Sequence, residues 1–415
     1  MRHRPSNAMR PVPTAIGLIA VFAGAMFWPG SATAQMTHDH PGIECADPGL
    51  ACATTVSPAF APDGNLWLAW PAAGRVSVAR SRDLARTFEP AVPVNRGPQR
   101  LDSGPDERPK IAVDASGRIA VAYAIFKDSA FNGQVLYSRS TDGGRSFAPP
   151  LPITADPESQ RFETIAFDPE GNLFAAWLDK RNRAPARERG ESYIGAGLAF
   201  AWSKDGAATF AETRIAKDNT CECCRLGVAF AGPGRPVVLF RNVFGGTVRD
   251  HAITTFADPT TPGPIYRVSV DEWAIDVCPH HGPNLAIGHD GTYHATWFTN
   301  GTVRKGLFYA RSADGGRTFS TPMPVGRDDR SPSRPFVVAV PGAVWLAWKE
   351  FDGNQSTVSV MRSADAGGAW TAPKIVARTS DASDHPQLVT NGRRVFLSWM
   401  TRADGYQFVP LEAFP

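Results

Sequence analysis

The pattern Ser-x-Asp-x-Gly-x-x-(Phe/Trp) occurs three times in full, over residues 140–147, 312–319 and 363–370. Two further copies, at 81–88 and 203–210, carry Ala where Gly is expected. The residue types define a turn. Short Asp and Ser side chains bond the local backbone, Gly supplies a positive φ, and the aromatic ring plugs into the sheet beneath. A turn of such fixed chemistry, recurring along one chain, implies a structural unit that recurs with it.

The five aspartates, Asp83, Asp142, Asp205, Asp314 and Asp365, are separated by 59, 63, 109 and 51 residues. The gap of 109 spans two periods, so one unit has lost its turn. An independent count comes from hairpin turns, at Asp63-Gly64, 114–117, 168–171, 232–234, Asp290-Gly291, Pro341-Gly342 and Asn391-Gly392. Each leads into an apolar strand ending on an aromatic residue: Trp70, Tyr123, Trp177, Phe240, Trp297, Trp348 and Trp399. Seven units of about fifty residues, each with four strands, predict an all-β fold, a seven-bladed propeller of four-stranded antiparallel blades. Six blades is the alternative if a terminal unit is irregular. The last unit stops after its third strand, so residues before Ser57 are expected to donate the missing outer strand and close the ring.

The turn motif is the Asp-box, or BNR repeat, and on it the chain resembles propellers of the sialidase superfamily. The segments Cys221-Glu222-Cys223-Cys224 and Cys278-Pro279-His280-His281-Gly282-Pro283 are similar to segments in exported bacterial sialidase-like Asp-box proteins. The resemblance implies the propeller fold. It leaves the activity open, because a fold does not fix a function.

Residues 1–34 read as a signal peptide: Arg2, Arg4 and Arg10, then an apolar stretch over 14–28, then Ala32-Thr33-Ala34 as a cleavage site. The stretch is short for a membrane span, and no second one follows. The expected organisation is signal peptide 1–34, an N-terminal segment 35–56 and one propeller domain 57–415, in the periplasm or secreted. The formal charge of +3 includes the three signal arginines, leaving a near-neutral mature chain with no electrostatic case for nucleic acid. All six cysteines lie in the mature chain, where disulfides are permitted. Cys45 and Cys52 read as a structural disulfide. The tail His38-Asp39-His40 reads as a polar tail, with Cu(II) or Ni(II) chelation as the alternative.

In a propeller, residues just before the innermost strands converge on one mouth of the central channel. Here they are Glu107, Arg108, Arg161, Glu163, Cys224, Arg225, His280, His281, Arg334, Asp384 and His385. Individually, each suits any wet channel; together they form the best candidate site for a glycan or other small ligand. Arg108, Arg161, Arg225, His281, Arg334 and His385 are the ligand-binding candidates. For Cys221, Cys223, Cys224 and Cys278, two readings stay open. Disulfides are one: every pairing forces a bond within 221–224, strained for Cys221–Cys223 and for Cys223–Cys224 and sterically easier for Cys221–Cys224 with Cys223–Cys278. A copper or zinc site, with His280 and His281 as further ligands, is the other.

Sialoside hydrolysis needs three arginines on a carboxylate, a tyrosine nucleophile beside a carboxylate, and an acid. Arg108, Arg225 and Arg334 match the clamp in position, with Glu107, Glu163 or Asp384 as acid or base. The family's Phe/Tyr-Arg-Ile-Pro segment is absent, and no tyrosine lies in a nucleophile context. Three readings therefore stand: a ligand-binding propeller with the Cys/His cluster at its mouth, a glycoside hydrolase of the sialidase type, and an interaction scaffold.

Overall fold

A computed structural model describes residues 45–277 and 279–413. The expected signal peptide, the His38-Asp39-His40 tail and Cys278 lie outside the described residues. Within them, seven antiparallel sheets follow one another along the chain. The innermost strands are Ser57–Phe60, Lys110–Val113, Gln160–Phe167, Gly227–Phe230, Asn284–Ile287, Ser333–Val340 and Gln387–Thr390. Each packs on the next around the ring, and the seventh packs on the first. The architecture is the seven-bladed propeller expected from the turn count. The departure from all-β among the described residues is slight: one short helix, Arg183–Glu188, and three 3-10 turns. No helix among the described residues is long and apolar enough to cross a membrane.

The second strand of each blade carries the core, because it is covered by neighbouring blades on both faces. Leu66–Ala72, Leu173–Asp179, Pro236–Arg241 and Val395–Thr401 are buried at every position. Their terminal aromatics, with Trp297 and Trp348, are among the largest fully buried side chains. A buried indole N–H needs an acceptor, and each finds one. Trp177 donates to Asp179 at 2.8 Å, Trp297 to Asp271 at 2.8 Å, Trp348 to Glu350 at 2.8 Å, Trp399 to the Asp384 carbonyl at 2.8 Å and Trp70 to the Pro48 carbonyl at 3.0 Å. Truncating such a side chain to Ala costs about 3–5 kcal/mol.

The Asp-boxes join the third and fourth strands of blades 1, 2, 3, 5 and 6. In the second blade Ser140 Oγ accepts from the Gly144 N–H at 2.9 Å, and Asp142 Oδ1 accepts from the Ser146 N–H at 3.0 Å. The other boxes repeat this wiring around Asp83, Asp205, Asp314 and Asp365. Gly144 has φ 79°, and a Cβ there would lie 2.3 Å from the Trp67 ring of blade 1. The glycine thus satisfies the turn and the packing between blades at once.

The expected ring-closing strand is replaced by something else. Blade 7 keeps three strands, and among the described residues no strand precedes Ser57. Cys45 and Cys52 form the anticipated disulfide, and Asp47 accepts from the Gly49 N–H at 2.7 Å. These bonds bend the segment into a 3-10 turn, Leu50–Cys52, so it cannot run extended along the edge. It closes the ring as a plug, with Leu50 and Cys52 against Trp70, Met400 and Tyr406.

Candidate functional site

Two inner strands reach the channel mouth through β-bulges, in Gln160–Phe167 between Arg161 and Thr164 and in Ser333–Val340 between Ser333 and Phe336. At both, a non-glycine residue adopts a positive φ, Phe162 at 57° and Arg334 at 57°. Bulges of this kind re-aim side chains, and left-handed non-glycine residues cluster where function over-determines the backbone. Arg334 is aimed at Asp106, 3.1 Å away, and also donates to the His280 carbonyl. Arg225 meets the same carboxylate at 3.1 Å, and His385 Nδ1 lies 3.6 Å from it. Asp106 is therefore the hub of the mouth. Sequence reasoning missed it, because it sits beside Glu107 and Arg108 with nothing to set it apart.

The Arg225–Asp106–Arg334 arrangement is a carboxylate clasped by two guanidiniums. Burial lowers Arg225 to about 10, which still leaves it charged at neutral pH. Burial, then the charges of Arg334, Arg225 and Arg108, hold His385 well below the usual imidazole range, so it is neutral. His281 is neutral for the same reasons, burial first and then Arg334, Arg241 and Arg225. Its ring stacks on Phe298 with centroids 4.1 Å apart. Lys349, held down to about 8 by burial, donates to Ser383 Oγ at 2.7 Å.

The other predicted arginines are spoken for. Arg108 makes a buried two-point contact with Asp384 and does not meet Arg225 and Arg334 at Asp106. Arg161 pairs with Asp102, with a second contact at 3.0 Å, and lies over the Phe126 ring. The three-arginine clamp expected from sequence is thus a two-arginine clasp with a neutral histidine beside it.

Glu107 and Glu163 are both buried, and among the described residues none of their four carboxyl oxygens finds a hydrogen-bond donor. Burial, then the charge of Glu163, push Glu107 well above the usual carboxylate range. Both causes favour its protonated form, a carboxylic acid facing a second carboxyl group. Lys110 lies close by, lowered by burial, and donates to the Arg108 carbonyl at 2.6 Å. An acid kept protonated beside another carboxyl is the arrangement that general acid–base chemistry uses. A tyrosine nucleophile is a different matter. Tyr193 does donate to Asp218 at 2.9 Å, but burial and that carboxylate raise its pKa and keep it a phenol.

Blades 4 and 5 bring the cysteine and histidine segments side by side. Gly282 lies so close to Arg225 that a Cβ there would be 2.3 Å from the arginine's Cγ. Cys221 Sγ stands 3.5 Å from Cys223 Sγ and 3.8 Å from Cys224 Sγ, and the three sulfurs all lie within 4.8 Å of one another. The Cys221–Cys223 and Cys221–Cys224 disulfides are therefore not formed, since an S–S bond is about 2 Å, and the Cys223–Cys278 pairing lies outside the described residues. Donation from Cys223 and Cys224, then the charges of Arg241 and Arg249, hold Cys221 well below the usual thiol range. Burial pushes Cys224 up. Among the described residues no histidine nitrogen joins the group of the three sulfurs within 4.8 Å, and His280 lies against the Phe162 ring.

A groove of about 720 Å³ opens beside the mouth between blades 5 and 6. His281, Phe298, Lys305, Ser333, Arg334 and Phe351 line it. Phe351 is 47% exposed, an apolar platform next to two cationic side chains.

Fold and mouth define the chain as a seven-bladed Asp-box β-propeller, the sialidase-like architecture expected from its turns. No family model matches the chain, and no curated protein matches it. Similar solved structures include a protein of unknown function from Dyadobacter fermentans, at 16% identity and a TM-score of 0.52, covering 75% of this chain and 95% of that one. A PL25 polysaccharide lyase, an ulvan lyase bound to -[GlcA(1-4)Rha3S]-, is 10% identical with a TM-score of 0.54, covering 88% and 94%. The Hadza microbial sialidase Hz136 is 15% identical with a TM-score of 0.48, covering 86% and 65%. The first two share the fold with this chain, and at such identities the likeness is one of fold alone.

Proposed function

We propose that this protein is exported and binds an acidic, carboxylate-bearing saccharide at the mouth of its central channel. One observation carries the reading: Arg225 and Arg334 already clasp a carboxylate, that of Asp106, at 3.1 Å each. The groove that shares Arg334 supplies what a charged sugar needs, aromatic faces from Phe298 and Phe351 and a second cation at Lys305. The propeller fold is shared with an ulvan lyase bound to a glucuronate-containing saccharide, which accords with a glycan ligand. Calorimetric titration with glucuronate oligosaccharides and sialyllactose tests it. Binding is expected for at least one, weakened by Lys305→Ala, an exposed position whose loss leaves folding intact. Heat from neutral and acidic sugars alike, or from neither, would refute the reading.

Glu107 and Glu163 favour a hydrolytic version of the same site, with protonated Glu107 as acid. Turnover of a fluorogenic sialoside or glucuronide, abolished in Glu107→Gln, would support it. Inactivity across such a panel leaves binding alone.

The second part of the proposal is a thiophilic metal centre, copper or zinc, on Cys221, Cys223 and Cys224. Its support is the sulfur spacing of 3.5 and 3.8 Å, which suits a shared ion. Metal analysis of protein purified from the export compartment tests it: one equivalent of bound metal is expected, and none would count against it.

A further inference from the structure

Lys349 and Ser383 meet between the last two blades, beside the channel mouth. Lys349 stands on the second strand of blade 6, Ala343–Phe351, between Trp348 and Glu350, whose indole and carboxylate bond each other at 2.8 Å. Ser383 lies in the segment that enters the innermost strand of blade 7. Its neighbours tie that segment to the blade's second strand: the Arg402 N–H donates to the Ala382 carbonyl at 2.9 Å, and the Asp384 N–H to the Met400 carbonyl at 2.8 Å. The Lys349 ammonium bonds Ser383 at two points, Oγ at 2.7 Å and the carbonyl at 3.3 Å. The charge of Asp384 favours that ammonium, but its carboxylate is committed to Arg108. Arg334 opposes the charge, and the neutral His385 lies close enough to feel it. Burial outweighs the rest and holds Lys349 down to about 8, so about a tenth of it is free amine at pH 7. A lysine that only pinned the loop would gain nothing from losing its charge.

A serine hydroxyl 2.7 Å from a lysine amine has the geometry of the nucleophile and base of acyl transfer. We infer that Ser383 and Lys349 form a catalytic dyad that hydrolyses small O-acyl esters beside the channel mouth. As free amine, Lys349 takes the proton from Ser383 Oγ while that oxygen bonds to the ester carbonyl carbon. The tetrahedral intermediate collapses, the bond to the alcohol oxygen breaks, and the leaving alkoxide takes the proton from the Lys349 ammonium. Water then attacks the acyl-serine with Lys349 again as base, which releases the carboxylic acid and restores Ser383. The balance needs only ester and water. Ser383 is partly exposed, and Ser333, cross-strand from Lys349, lines the groove beside Arg334, so the dyad borders a surface that a ligand can reach. The inference does not rest on the carboxylate-binding reading, because an ester need carry no carboxylate.

The experiment treats the whole mature chain with a fluorophosphonate, which phosphonylates activated serines, and separately with p-nitrophenyl acetate. One adduct per chain is expected, mapped to Ser383 by peptide mass spectrometry, at a labelling rate that rises as pH passes about 8. Lys349→Met should slow labelling about a hundredfold, the low end of what a general base contributes. Ser383→Ala should abolish both the adduct and the ester turnover. Circular dichroism reports whether each variant folds. If Lys349→Met does not, Lys349→Arg takes its place, since it keeps a cation but supplies no base at neutral pH. The wild-type adduct and its pH profile need no variant at all. Absence of the adduct or of turnover in the wild type, an adduct on another residue, or a labelling rate indifferent to the change at Lys349 would overturn the inference.

Discussion

Arg108 and Asp384, 276 positions apart, face each other across contacts of 2.7 and 3.0 Å, both almost wholly buried. Asp384 also accepts from Thr55 Oγ1 at 2.9 Å and from the Val56 N–H at 3.1 Å. One carboxylate thus joins the start of blade 7 to the approach to blade 2 and to the segment entering blade 1. In place of a shared outer strand, this contact and the disulfide-bent plug hold first and last blades together.

Asp384→Asn should therefore destabilise the fold by about 3–5 kcal/mol, the usual cost of leaving one member of a buried pair alone. Denaturant unfolding measures it. Replacing both partners by apolar residues should cost less than the sum of the single changes, and strict additivity would show that the two do not act as a pair.

Glu107 is expected to behave in the opposite sense. Its folded pKa is raised, so the native state holds a proton that the unfolded chain releases as pH rises past about 4.5. Stability is therefore lost from that pH upward, and Glu107→Gln, which mimics the protonated acid, should be more stable than the wild type at pH 7. The difference should vanish in unfolding curves taken below pH 4. A destabilised Gln variant at pH 7 would mean the carboxylate is needed in its charged form.

Ala85 holds φ 66° where the complete boxes place glycine, as at Gly144 with φ 79°. Ala85→Gly relieves a left-handed alanine and should raise stability by about 1 kcal/mol, visible as a higher Tm. Ala207, at φ 64°, is buried in a hydrophobic cluster, so its glycine variant loses packing and should gain less.

The box aspartates set the acid limit. Hydrogen bonds from Thr87 lower Asp83 to about 2; at Asp205, similar bonds from Thr209 and Ser203 outweigh burial and also give about 2. With folded pKa values below the unfolded ones, their stabilisation is complete above about pH 4 and is lost as pH falls towards 2. Tm measured from pH 5 to 2 should drop, and Asp83→Asn should flatten part of the drop.

Blade number and the position of every second-strand tryptophan were legible in the sequence because each rests on local turn chemistry repeated many times. The mouth was legible only as a set of positions. Arg108, Arg225 and Arg334 look equivalent in sequence, yet a bulge and a positive φ turn Arg334 to Asp106, whereas Arg108 is drawn to Asp384 by a contact made across the whole chain. Asp106 and Asp102 carry no motif, and their roles follow from which arginine reaches them. His280 and His281 looked like ligands through proximity to Cys278 in sequence, but ring packing against Phe162 and Phe298 takes them elsewhere. Arg241 follows the strand-ending Phe240 in sequence. Its burial beside the thiols follows only from how blade 4 folds back on the Cys221 segment.

The most direct test compares affinity for a glucuronate oligosaccharide among wild type, Arg334→Ala and Asp106→Asn. If the clasp is the ligand site, Arg334→Ala weakens binding at least about tenfold, as loss of a charged hydrogen bond does. Asp106→Asn, which removes the internal carboxylate competing for Arg225 and Arg334, should tighten it. Equal affinity in all three proteins, or weakening in both variants, would contradict a carboxylate-binding mouth.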